Sequence, residues 1–202
     1  MASKFTLWDM SLAEFRDAIE ARSMPGCGAV AANAAANGLS LVLKGLRLSD
    51  SKHAESERAR LIARAHALVE RLGDYAEEDV AAFEAYLAAQ KNSDVDSDND
   101  ALGAAVERIN QVPLITARAC CEGLELVTPA LECTKSALHS DARAGAQLLH
   151  AGLSMVLLNV DANIDGLDDA RERERLERER YALQSEADRL LNAFMPAGKY
   201  SD

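Results

Sequence analysis

Apolar residues recur along most of this chain at spacings of three and four, the mark of helices that bury one face. The longest run is Leu61, Ala65, Leu68, Leu72, Tyr75, Asp79, Ala82 and Tyr86. Its steps alternate four and three, which predicts a helix from about Lys52 to Gln90 with a seam against other helices. Upstream, Ser11-Leu12-Ala13-Glu14 reads as a capping box that opens a helix through Ala21, with Leu12, Phe15 and Ile19 on its apolar face. Pro25 ends that segment. The Ala-rich stretch from Ala29 to Gly38 then runs into Leu39–Leu48 and predicts a second helix, since alanine is the best helix former. Few large side chains lie on it, so neighbouring helices or a flat ligand can approach its backbone closely. The Pro25-Gly26-Cys27-Gly28 entry leaves backbone N–H groups free at its N-terminus.

The second half follows the same rule. A helix is expected from about Ala101 to Leu126, kinked near Gln111 by Pro113, with a break at Pro129 before Leu131–Leu138. His139-Ser140-Asp141 starts an apolar helix reaching Gly166, one face of which reads Asp141, Gly145, Leu149, Gly152, Val156, Asn159, Asn163. Asp168 to Ala193 is rich in Arg and Glu and has a narrow edge of Leu176, Leu183, Ala187 and Leu190, the pattern of a helix with a solvated face.

Composition agrees with helices throughout. Of 202 residues, 49% are apolar but only 4% aromatic, and the leading types are Ala and Leu. This is expected of an all-α bundle of long helices forming a single domain over residues 1–202. The net charge of −11 argues against a nucleic-acid or anionic-membrane partner, so any anionic ligand must be held by a few local cations. Cys27, Cys120, Cys121 and Cys133 have no metal-binding spacing and follow no signal peptide; they read as reduced thiols of a cytoplasmic protein. No apolar run is expected to reach the ~18 residues of a membrane span.

Three features carry candidate chemistry. Asp79 occupies a place on the seam where the pattern calls for an apolar residue; a carboxylate there needs a partner or a task. Either it caps another helix or pairs with an Arg, or it works as an acid or base. Asn159 and Asn163, four apart on an apolar helix, can bond a heterocycle or another helix. Residues 91–100 are acidic, and from Asp96 they approach a calcium loop, with Asp98, Asp100 and Glu107 at suitable offsets. Ala101 stands where that loop needs Gly, so a solvated loop capping the next helix is the simpler reading.

In order along the chain, Pro25-Gly26-x-Gly28, Asp79-x-x-Ala82-Phe83, Val112-Pro113-Leu114, Ser140-Asp141-Ala142 and Leu158-Asn159-Val160-x-x-Asn163 resemble the cyclodeaminase/cyclohydrolase family. That family includes the cyclodeaminase part of formiminotransferase-cyclodeaminase and the stand-alone methenyltetrahydrofolate cyclohydrolases. The likeness spans about residues 10 to 195. It implies an all-α, up-and-down helical bundle that forms a homodimer, with a folate site near the Gly-rich turn and no metal; the Ala- and Gly-rich helix faces are the expected dimer seam.

What the resemblance implies for this chain is hydrolysis of 5,10-methenyltetrahydrofolate to 10-formyltetrahydrofolate. Two alternatives stay open: a formiminotetrahydrofolate cyclodeaminase, or a non-catalytic relative that binds a pterin-like ligand or a partner protein. The lack of a formiminotransferase portion tilts the expectation toward the cyclohydrolase. The catalytic candidates are Asp79 and Asp141, expected in one pocket with the Pro25–Gly28 turn to steady the amidinium cation and deprotonate water, with Lys52 and His53 relaying a proton. The binding candidates are Pro25, Gly26, Cys27, Gly28, Arg47, Ser140, Arg143, Asn159 and Asn163. Arg47, Lys52 and Arg143 would be the local cations for a glutamate tail. Three places depart from the family pattern: Met24 and Cys27 in the glycine turn, Arg47 through His53, and Arg143 where the family has glycine.

Overall fold

The computed structural model describes residues 6–49, 55–93, 99–167 and 169–194. Among the described residues, six α-helices and two single 3-10 turns make up the regular structure, and no strand occurs. The helices are α1 (Leu12–Ala21), α2 (Cys27–Arg47), α3 (Glu55–Ser93), α4 (Asn99–Glu132), α5 (His139–Ile164) and α6 (Ala170–Phe194). The expected capping box is formed: Ser11 Oγ accepts from the Glu14 N–H, and the Glu14 carboxylate accepts from the Ser11 N–H.

Helices α2 to α5 form an up-and-down four-helix bundle. Each packs on the next, and α5 closes back on α2. The pairing of Arg71 with Glu122 and of Arg108 with Glu78 sets α3 and α4 antiparallel. Helix α6 lies outside, against α4 and α5, where Arg180 bonds Asp161 and the Cys121 thiol donates to the Leu183 carbonyl. The main core runs through α2 to α6 and includes Leu39, Leu46, Leu61, Leu72, Leu124, Leu149, Leu157 and Leu176. The α3 seam is buried from Leu61 to Leu72 as its spacing requires. On α6 the buried edge is Leu176, Ala187 and Phe194, while Arg175–Glu172 and Arg189–Glu186 pairs occupy the outer face.

Three expectations need correction, and the calcium-loop alternative is not met. Helix α4, which contains Pro113 as expected, also runs unbroken through Pro129, because Val127, Ala130 and Cys133 are buried around that proline and packing replaces the lost hydrogen bond. Asp96 and Asp98 lie outside the described residues, but Asp100, Ala101 and Glu107 fall within α4, so a calcium loop does not form across them. Helix α2 is long and apolar enough to cross a membrane, with a mean hydropathy of 1.2 in its most apolar window; 61% of that window is buried inside the bundle.

The third concerns the Ala- and Gly-rich faces, the dimer seam expected from the sequence. They face each other within one chain. A Cβ at Gly145 would lie 2.3 Å from the Gly38 carbonyl oxygen, and one at Gly152 would lie 2.8 Å from that of Ala31. The small residues serve the close antiparallel approach of α2 and α5 and are therefore spent internally. What the pair leaves partly or fully exposed is a different stripe: Val30, Ala34, Asn37 and Leu41 on α2, and Leu148, Ala151, Met155 and Leu158 on α5.

Candidate functional site

Where α2 begins, four segments enclose a cavity of about 290 Å³. The turn into α2 supplies Ser23, Met24, Gly26 and Cys27; α3 supplies Asp79, Ala82 and Phe83. From α4 come Ile109 and Val112, and from α5 Asn159, Ala162 and Asn163. The walls are mainly apolar, with few polar groups, the usual make-up of a small-molecule site.

Asp79 is the carboxylate of this cavity. Its Oδ2 accepts the Ala29 N–H at 3.0 Å, so it caps the first turn of α2. The capping alternative is thus met by geometry, and the same side chain still lines the cavity. Burial pushes its carboxyl above the usual carboxylate range, and the Ala29 hydrogen bond opposes that only in part. Gly28 exists for this seat: a Cβ there would stand 2.0 Å from Asp79 Oδ1. Gly26 is the N-cap of α2, and the Met24–Pro25 peptide that leads to it is cis. The Cys27 thiol donates to the Met155 carbonyl at 3.3 Å. Burial, then the neighbouring Asp79, hold it above the ordinary thiol range, so it is a weak nucleophile at neutral pH.

A second group of candidates lies elsewhere. Asp141, at the start of α5, pairs with Lys44 in the last turns of α2 at 2.7 Å. Ser140 and Arg143 belong to the same end, as does Arg47, the last residue of α2. From Ala29 to Lys44 the chain rises about 22 Å along α2. Within one chain, then, Asp141 does not share the Asp79 cavity, contrary to expectation: α2 and α5 are antiparallel, which puts the head of one beside the tail of the other. Arg143 Nε is buried there without a hydrogen-bond partner. Lys52 and His53 lie outside the described residues.

The α4 wall was not among the candidates. Ile109 and Val112 reach the cavity through the register of α4 against α5, which no local pattern encodes. A signal was available in Pro113. A proline inside a helix leaves the carbonyl four residues earlier without its N–H, and the Asn163 side chain supplies one to Ile109 O at 2.9 Å.

Comparison with known proteins places this arrangement. The sequence profile of the formiminotransferase-cyclodeaminase family matches residues 11–182. The formimidoyltransferase-cyclodeaminase of Sus scrofa is 33% identical over 156 residues, which are 72% of this chain but only 29% of that protein. The methenyltetrahydrofolate cyclohydrolase of Methylorubrum extorquens is 30% identical over 172 residues, covering 81% of this chain and 83% of that one. The crystal structure of a formiminotetrahydrofolate cyclodeaminase from Thermotoga maritima superposes with a TM-score of 0.83 over 92% of this chain and 94% of its own, at 23% identity. With a matching profile over most of its length and this bundle around the glycine turn, the chain belongs to the formiminotransferase-cyclodeaminase family.

Proposed function

We propose that this protein binds a reduced folate in the Asp79 cavity and hydrolyses 5,10-methenyltetrahydrofolate to 10-formyltetrahydrofolate. The observation that carries the reading is Asp79 itself, a carboxylate with a raised pKa in a mostly apolar cavity, with one oxygen held by a helix N-terminus. The bridging carbon of methenyltetrahydrofolate is an amidinium cation. A carboxylate beside it stabilises that charge and takes a proton from the attacking water; the ring then opens once a folate nitrogen is protonated. The cavity suits the bicyclic ring, with the remainder of the folate outside it.

The deaminase reaction passes through a similar tetrahedral carbon and expels ammonia, and the fold likeness to the Thermotoga maritima cyclodeaminase favours it as the second reading. One experiment separates the two and also the non-catalytic alternative. Purified protein is given methenyltetrahydrofolate while loss of the amidinium absorbance is followed, then formiminotetrahydrofolate while ammonia is assayed. Accelerated decay of the first supports the cyclohydrolase. Ammonia release alone makes it a deaminase. Folate binding with neither reaction makes it a binding protein.

The proposal includes a homodimer and a reducing, cytoplasmic setting in which Cys27, Cys120, Cys121 and Cys133 stay free as they are here. The outward stripe of α2 and α5 is the proposed seam. A two-fold axis through its middle, near Asn37 and Leu148, sets the Asp141–Lys44 end of one copy beside the Asp79 cavity of the other. Asp141, Arg47 and Arg143 would then serve the site from the second copy.

A further inference from the structure

Helix α4 contains an internal proline whose effect falls on the cavity. Pro113 has no N–H, so the Ile109 carbonyl has no partner in the helical ladder. Ile109 lines the cavity, and its carbonyl is met by Asn163 Nδ2 at 2.9 Å from across the α4–α5 contact. A backbone carbonyl can only accept. The amide therefore cannot be turned round without placing two acceptors against each other, and its Oδ1 is directed away from Ile109. Asp79 is constrained in the same sense, since Oδ2 is engaged by the Ala29 N–H and Oδ1 remains.

We infer that Asn163 is a specificity-determining residue fixed by Pro113 as a hydrogen-bond acceptor, and that the edge of the ligand it meets must be an N–H donor. This rests on the folate reading. The aminopyrimidinone ring of a reduced folate carries such donors, whereas a ring edge offering only acceptors would face an acceptor and lose a bond it makes in water. The Pro113–Ile109–Asn163 arrangement thus selects ring orientation and not merely ring size.

The test uses 5-formyltetrahydrofolate, a folate without the reactive bridge, and measures its Kd on four variants. Asn163→Asp keeps the acceptor but sets it against the Ile109 carbonyl, and should weaken binding roughly tenfold or more. Pro113→Ala returns an N–H to Ile109. In that background Asn163→Asp should bind within about threefold of the Pro113→Ala parent, while Asn163→Leu should stay roughly tenfold weaker. In turnover the loss should fall on KM with kcat nearly unchanged. If Asn163→Leu binds as tightly as its Pro113→Ala parent, Asn163 is only a tie between helices and the inference is overturned. The side-chain amide protons of Asn163, observed by NMR without ligand, give a separate readout. Slow exchange in the wild type that becomes fast in Pro113→Ala supports the fixed orientation, and fast exchange in both overturns it. A wild type that binds no folate overturns the functional reading, and the NMR result still decides the orientation.

Discussion

Asp79 joins two roles whose requirements conflict. As a helix cap it should be ionised, yet its surroundings favour the neutral form. Its folded pKa lies above the ordinary value of 3.8, so the folded state binds the proton more tightly than the unfolded chain. Stability is therefore lost as pH rises from near 3.8 through the raised pKa, and the penalty is complete above it. Asp79→Asn should remove that penalty while its amide oxygen still accepts from Ala29. Thermal unfolding of the two proteins should show a stability difference in favour of the variant that grows from pH 4 to pH 7. Turnover should fall by ~10²–10⁴-fold, the usual cost of a lost general base. A variant that is less stable at pH 7 yet fully active would make Asp79 purely structural. Gly28 gives an independent check, since a methyl at that position meets the Asp79 carboxylate. Gly28→Ala should cost on the order of 10² in kcat/KM by displacing the carboxylate. Full activity in that variant would show that the seat is not needed.

At the scale of helices, what could be read from the sequence was what adjacent residues decide. Ser11 and Glu14 are three apart and cap their helix wherever it goes; the α3 seam is fixed by its own periodicity, and Asp79 stood out as the residue that broke it. Asp79, Gly26, Cys27, Asn159 and Asn163, five of the candidates named from motifs and likeness, line one cavity. What was not legible depended on the register between helices. Asp141 goes with Asp79 in the sequence because it heads the helix whose face carries Asn159 and Asn163, but the antiparallel pairing of α2 and α5 gives it Lys44 instead. Pro129 reads as a stop until its buried neighbours are known. The small residues of α2 and α5 read equally well as an outer or an inner face, and only the Gly38–Gly145 contact decides. That contact has its own test. Gly145→Ala puts a methyl against the Gly38 carbonyl, where backbone must move, and should cost about 1–3 kcal/mol as overpacking does. In a chain of this length that lowers Tm by roughly 2–4 °C per kcal/mol. Calorimetry showing no change would mean that α2 and α5 can slide apart freely.

At the scale of the whole molecule, the two ends of the α2–α5 pair pose one problem: each holds half of the expected chemistry, and the bundle keeps them apart. The exposed stripe between them connects the halves only if another copy covers it. Leu148 is the residue to change. It is 37% exposed, lies over Gly38 near the middle of the stripe, and does not line the cavity. Its neighbours along α5, Ala151 and Leu158, are exposed too, so a carboxylate placed at 148 meets solvent in a monomer but apolar surface in the proposed dimer. Leu148→Glu should therefore keep the helical circular dichroism and melting cooperativity of the monomer, since no core contact depends on it. Light scattering should show the wild type as a dimer and the variant shifted to the 21.7 kDa chain. Turnover should fall with dimerisation and recover as protein concentration is raised, because burying a charge at a seam weakens association without altering the site. A wild type that scatters as a monomer at micromolar concentration removes the dimer from the proposal. A monomeric variant with undiminished turnover would mean that the Asp79 cavity works alone, and that Asp141, Arg47 and Arg143 belong to something other than its chemistry.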